Sequence, residues 1–206
     1  MKFLKENSYD IVKLYINQIG IAIFSMAIYS AIEIALPSDF SWGTELEAII
    51  SAAAIIFYCA LIYVATWEFG AKDRIKIDGG KMERQAYKGL LIGTYANVPN
   101  FILTGIAIIS MGIFFACGAE GFKAVFSVLN LFFGFLESMY LGIIIAIFPM
   151  VEANSDLVYF YRAIAYFLMP IIPIAVSHLG YALGERNFRI VSLFSQKSTS
   201  KDGNNK

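Results

Sequence analysis

One glutamate stands inside one of the most apolar stretches of the chain. Residues 124–150 carry a single charged side chain, Glu137, near their middle. At about 100° per position, a helix through this stretch places Ser127, Asn130, Gly134, Glu137 and Ser138 in one sector about 100° wide. Phe132, Phe135, Leu136, Met139 and Ile143 fall elsewhere around it. A carboxyl at mid-bilayer costs about 2.5–3.5 kcal/mol on insertion scales, so it needs a partner, a proton or water. The chemistry open to Glu137 is handling of a proton or cation, or contact with a cationic group of a substrate. The competing reading is a protonated carboxyl hydrogen-bonded across a helix interface. Either way the polar stripe must face protein or water, because hydrocarbon satisfies no polar group.

His178, the one histidine, lies in another apolar run, about one turn from Pro173. It is the natural candidate partner for Glu137; the plainer reading is an imidazole bonded to a nearby carbonyl. Gly134, Ser138 and Gly142, four apart, form a small-xxx-small pattern, and Gly180 and Gly184 form a GxxxG. Both patterns let another helix approach closely. Asn17, Gln18, Asn97, Asn100, Glu33 and Glu68 read as interfacial or capping residues.

No GxxxxGK[ST], HExxH or GxSxG occurs, and Gly79-Gly80 after Asp78 reads as a loop turn. A lone histidine and two isolated cysteines, Cys59 and Cys117, argue against a metal centre or a Ser-His-Asp enzyme. No catalytic residue, metal or cofactor is expected.

These residues need a membrane to make sense. Of 206 residues, 58% are hydrophobic and 16% charged, where soluble domains carry about 25% charged. The formal net charge is zero, so nucleic acid is not an expected partner. Five runs are long and apolar enough for spanning helices, at about residues 14–36, 46–69, 90–117, 124–150 and 163–183. They do not alternate as barrel strands do. The expected fold is all-α, a polytopic membrane helix bundle of about five helices, the last broken by Pro170 and Pro173 and potentially re-entrant. One transmembrane domain covers residues 1–195, followed by a polar, disordered tail at 196–206.

Lys2, Lys5 and Lys13, and the six basic residues of the 72–88 loop, place the N-terminus and that loop in the cytoplasm. Trp42 and Trp67 suit the two interfaces of the first hairpin. The tail is also basic, yet three crossings separate it from the loop. One run then fails to cross, the fifth being the suspect, or five full spans leave the tail outside. Asn97-Val98-Pro99-Asn100 would also let residues 87–96 lie along the inner surface.

The expected location is a cell membrane, and the Ile-, Phe- and Lys-rich composition has a bacterial character. Three function classes fit. The first is a small transport-type protein or transporter membrane subunit, working in the bilayer as a homo-oligomer or beside a partner subunit. The second is a non-catalytic scaffold or partner subunit, whose basic loop meets lipid headgroups or a soluble partner. The third is a lipid-modifying enzyme.

Overall fold

The computed structural model describes residues 2–35, 43–149 and 155–188, and their regular elements are all helical. They are α1 (Lys2–Ala35), α2 (Gly43–Asp78), α3 (Lys88–Cys117), α4 (Glu120–Leu136), a 3-10 turn (Ser138–Tyr140), α5 (Leu141–Ile147), α6 (Ser155–Leu168) and α7 (Ile171–Glu185). Four stretches are long and apolar enough to cross a membrane: Phe3–Ile32, Thr44–Asp78, Lys88–Cys117 and Ser155–Glu185. The pair α4–α5 makes a fifth only if counted across its 83° bend. Trp42, Glu152, Arg189, the 196–206 tail and the Glu33 side chain lie outside the described residues.

The bundle distributes its side chains for lipid. Ile56, Leu131 and Phe132 are exposed on its flanks, while Gln18, Ser51, Asn100, Thr104 and Ser177 are buried. Apolar side chains gain little by leaving lipid, so the interior takes small and polar residues that let backbones close up. Helix α7 sits against α2 and α3 in this way. A Cβ added at Gly180 would strike Thr66, and one at Gly184 would strike the Trp67 carbonyl. On the facing helix, Gly93 abuts Ser177.

One end of the bundle gathers the charges. Asp73 of α2 accepts from Lys88 of α3 at 2.6 Å and from Tyr181 of α7 at 3.0 Å. Glu185 pairs with Arg84, its carbonyl accepts from Arg74 at 2.9 Å, and Trp67 donates to the Phe188 carbonyl at 2.8 Å. Lys13 of α1 pairs with Glu68 at 3.3 Å. The start of α1, the basic loop and the end of α7 therefore share one end of the molecule.

The sharply bent run is the fourth, not the fifth. Helix α4 ends at Leu136, and the chain turns by 83° into α5. The last run is interrupted only at Met169-Pro170 and continues as one 31-residue stretch long and apolar enough to cross. Met169 N–H still reaches the Ala165 carbonyl at 3.0 Å. Pro170 is the N-cap of α7 and Pro173 falls in its first turn, where a missing donor costs little. Pro99 stays inside an unbroken α3, so residues 88–96 form no separate surface segment.

Helices α4 and α6 run parallel, side by side. Lys123 pairs with Asp156 at 2.8 Å, and rings meet at Phe126–Tyr159 (6.5 Å) and Phe133–Tyr166 (5.2 Å). Each pair is 33 residues apart, so the two helices advance in step. In that register Glu137 matches Pro170, and both helices are interrupted at the same depth. Pro170 is also the midpoint of Ser155–Glu185, and Gln18, which touches the α4 break, is central in Phe3–Ile32. The break thus lies at the middle of the bundle. From there α5 climbs back, ending where Arg162 donates to the Phe148 carbonyl at 2.7 Å.

Candidate functional site

Ending a helix in mid-bundle leaves carbonyls without intrahelical donors. The chain supplies donors from neighbouring helices. Gln18 of α1 donates to the Leu136 carbonyl at 3.4 Å, and Ser51 of α2 to the Met139 carbonyl at 2.6 Å. Ser138 in turn donates to the Ala22 carbonyl of α1 at 2.8 Å. Gly142 donates its N–H to the Tyr29 hydroxyl at 3.3 Å and lies so close to the Glu47 carbonyl that no Cβ would fit. Non-helical backbone persists at membrane depth only when protein or water satisfies it in this manner.

Glu137 is the residue at which the helix stops, with φ −114° and ψ 22°. Its side chain is 0% exposed, as the cost of a lipid-facing carboxyl demands. Neither carboxylate oxygen has a hydrogen-bond partner. The buried hydroxyls of Tyr140 and Tyr166 lack partners as well. Both tyrosines, and Tyr58 of α2, are close enough to interact electrostatically with Glu137. The interface reading of the carboxyl, a hydrogen bond across helices, therefore finds no bond in the structure. Orphaned buried polar atoms are few in native proteins, and a cluster of them around one carboxyl calls for a proton, a water or an ion to satisfy it.

The other members of the stripe separate along α4. Ser127 is ten residues from Glu137, about 15 Å along a helix. Its hydroxyl donates to the Lys123 carbonyl at 3.0 Å. Ser127 and Asn130 line a recess of about 310 Å³ with Lys123, Asp156 and Tyr159, floored by Met111 of α3. Ser138 is buried and ties the break to α1.

His178 does not meet Glu137. Its ring stacks on Tyr87 at 6.4 Å, just before α3 begins at the charged end. It is eight residues beyond Pro170, about 12 Å from the level of the break. Its half-buried ring keeps Nδ1 without a partner. Gly134 is not a packing residue, since a Cβ there would meet nothing within 4 Å. Gly142, Gly180 and Gly184 do pack against backbone or side chain.

Gln18, Asn97 and Asn100 are buried, not interfacial. Asn97 donates to the Gly93 carbonyl at 2.9 Å and Asn100 to the Asn97 side chain at 3.2 Å. The spacing of Gln18, Ser25 and Tyr29 on α1, seven and four apart, is a helical face, and all three are buried. That periodicity could have revealed the face that meets the break. Most charges of the basic loop are spent within the molecule: Arg74 binds Asp78 and the Glu185 carbonyl, Arg84 pairs with Glu185, and Lys76 and Lys88 with Asp73. Among the described residues, no three His, Cys, Asp or Glu converge as a metal site would require.

No protein-family model, curated protein or solved structure matches the chain.

Proposed function

We propose that this chain is a small transport-type membrane protein, or the membrane subunit of a transporter, with Glu137 as its intramembrane site. One observation carries the reading. A fully buried carboxyl without a partner stands at a mid-bundle helix break whose carbonyls at Leu136 and Met139 are satisfied by side chains. Discontinuous helices meeting at polar midplane sites recur in transporters, because they combine rigid halves with a polar centre. The ligand class is a proton or small cation. A chain of this size would work as a homo-oligomer or beside a partner subunit.

Scaffolding is less well supported. The GxxxG face of Gly180 and Gly184 is already occupied by α2, and Lys76, Arg84 and Lys88 are held by carboxylates. Both features would otherwise be free for a partner.

In this reading the bundle sits in a cell membrane with its charged end in the cytoplasm, following the excess of Lys and Arg. Four full crossings and a re-entrant α4–α5 then bring the start of the tail to the cytoplasmic side. Five full spans would not, and this argues for the even count.

The test is flux in proteoliposomes, with an interior pH dye for protons and radioactive sodium and potassium as alternative cations. The wild type should carry one of them above empty vesicles, and Glu137→Gln should fold normally and carry none. Equal flux in both proteins would overturn the reading.

A further inference from the structure

We propose that the cleft between α4 and α6 is a water-filled route to Glu137, and that its ligand is a proton. The inference rests on the reading of Glu137 as the working carboxyl.

The cleft is a ladder whose rungs differ. At its mouth, opposite the charged end of the bundle, stands the Lys123–Asp156 pair. Next comes the Phe126–Tyr159 contact. The following rung, by register, is Asn130 facing Ala163, a buried methyl where the other rungs have rings or charges. A recess of about 310 Å³ runs along α4 from Lys123 to Leu131, and five polar side chains line it together with Met111, Phe126 and Leu131. A recess of that size with several polar side chains in its wall has room and partners for water. One turn deeper, Gly134 leaves open space on the same face of α4. Glu137 is three residues further on.

The Phe133–Tyr166 pair, with centroids 5.2 Å apart, closes the route at this point. Phe133 is 0% and Tyr166 3% exposed. Beyond the rings stand the orphaned hydroxyls of Tyr166 and Tyr140 and the orphaned carboxyl of Glu137. A hydrated ion cannot pass such a contact without moving both rings. A proton needs no such space. The Tyr166 hydroxyl donates its proton to water on the Glu137 side and takes one from water on the cleft side, so the tyrosine is unchanged. The mouth carries both charge signs and selects no ion by charge.

The titratable groups around Glu137 come from each wall. They are Tyr58 and Cys59 of α2, Tyr140 of the turn and Tyr166 of α6, with Arg162 and Tyr29 acting on Tyr166. Helix α3, which backs α4 and α6, carries only Lys88, Tyr95 and Cys117, towards its ends.

The test starts from the full chain with Cys59→Ala and Cys117→Ala. Single cysteines replace Ser127, Asn130 and Gly134 on the cleft side, and Val128 and Phe132 on the lipid side. A charged methanethiosulfonate should modify the cleft set about tenfold faster or more, since the thiolate reacts and lipid disfavours it. Reaction at Asn130→Cys and Gly134→Cys no faster than at Phe132→Cys would overturn the route. A water-soluble carbodiimide then probes Glu137, read by mass. Tyr166→Ala should raise its modification; if that variant does not fold, Phe133→Leu serves. No increase in a folded variant would overturn the ring closure. Protection of Glu137 by sodium would overturn the proton assignment. Cleft labelling as expected, together with unaltered flux in Glu137→Gln, would support the water route while overturning the function and the proton.

Discussion

Replacing Asp73 by alanine should destabilise the bundle by stranding a lysine, not by deleting a carboxylate. Asp73 and Lys88 are 4% and 8% exposed and 2.6 Å apart. Removing one partner of such a pair costs about 3–5 kcal/mol, because the other charge stays buried. The lost Tyr181 hydrogen bond adds about 1 kcal/mol, and the pair with Lys76, a side chain 56% exposed, adds little. A total loss of about 4–6 kcal/mol lowers the folding constant roughly 1,000- to 10,000-fold. Reversible unfolding in mixed detergent and dodecyl sulfate micelles, followed by circular dichroism, would measure it. Adding Lys88→Met to Asp73→Ala should recover most of the loss, since no charge is then stranded. The Lys76→Ala change alone should stay within about 0.5 kcal/mol of wild type. If the double variant were as unstable as Asp73→Ala, the stranded charge would not be the cause and the reasoning would fail.

The break itself can be tested in the same micelles. Ser51→Ala removes the donor to the Met139 carbonyl and should cost about 1–2 kcal/mol; no loss would mean that this bond does not hold the turn. Gly142→Ala forces a methyl onto the Glu47 carbonyl and should cost about 1–3 kcal/mol. Gly134→Ala has open space and should be neutral or slightly stabilising, by up to about 1 kcal/mol; equal effects at the two glycines would refute the packing difference. In a background lacking Cys59 and Cys117, cysteines placed at Asp78 and at Phe188 should be labelled from the same side of the membrane, and opposite-side labelling would mean five full crossings.

The long apolar runs were legible because bilayer thickness imposes their length, and the proline signal at 170–173 correctly marked the interruption in the last span. The depth of that interruption was underdetermined. Prolines at an N-cap and in a first turn remove donors the helix does not need, so the span continues. The sharper break, at Glu137, has no local signature: neither proline nor glycine stands there, and each neighbouring residue is compatible with helix. Its cause is tertiary. Gln18 and Ser51 donate to the Leu136 and Met139 carbonyls, while Tyr29 takes the Gly142 N–H. A polar residue buried in one helix and a missing backbone bond in another are two halves of one interaction, and a linear reading sees only the first half. The same logic explains why Glu137 is legible in the sequence and its surroundings are not. An intramembrane carboxyl is conspicuous by energy alone, whereas Tyr58, Tyr140 and Tyr166 look like ordinary membrane aromatics until the fold brings them together. His178 is the partner that the sequence alone suggests, and the parallel register of α4 and α6 shows why it lies elsewhere. Register puts Pro170 at the level of Glu137, and His178 two helical turns past it. The surroundings of a buried carboxyl come from residues at its own level, which in this chain are tyrosines that face it without a hydrogen bond.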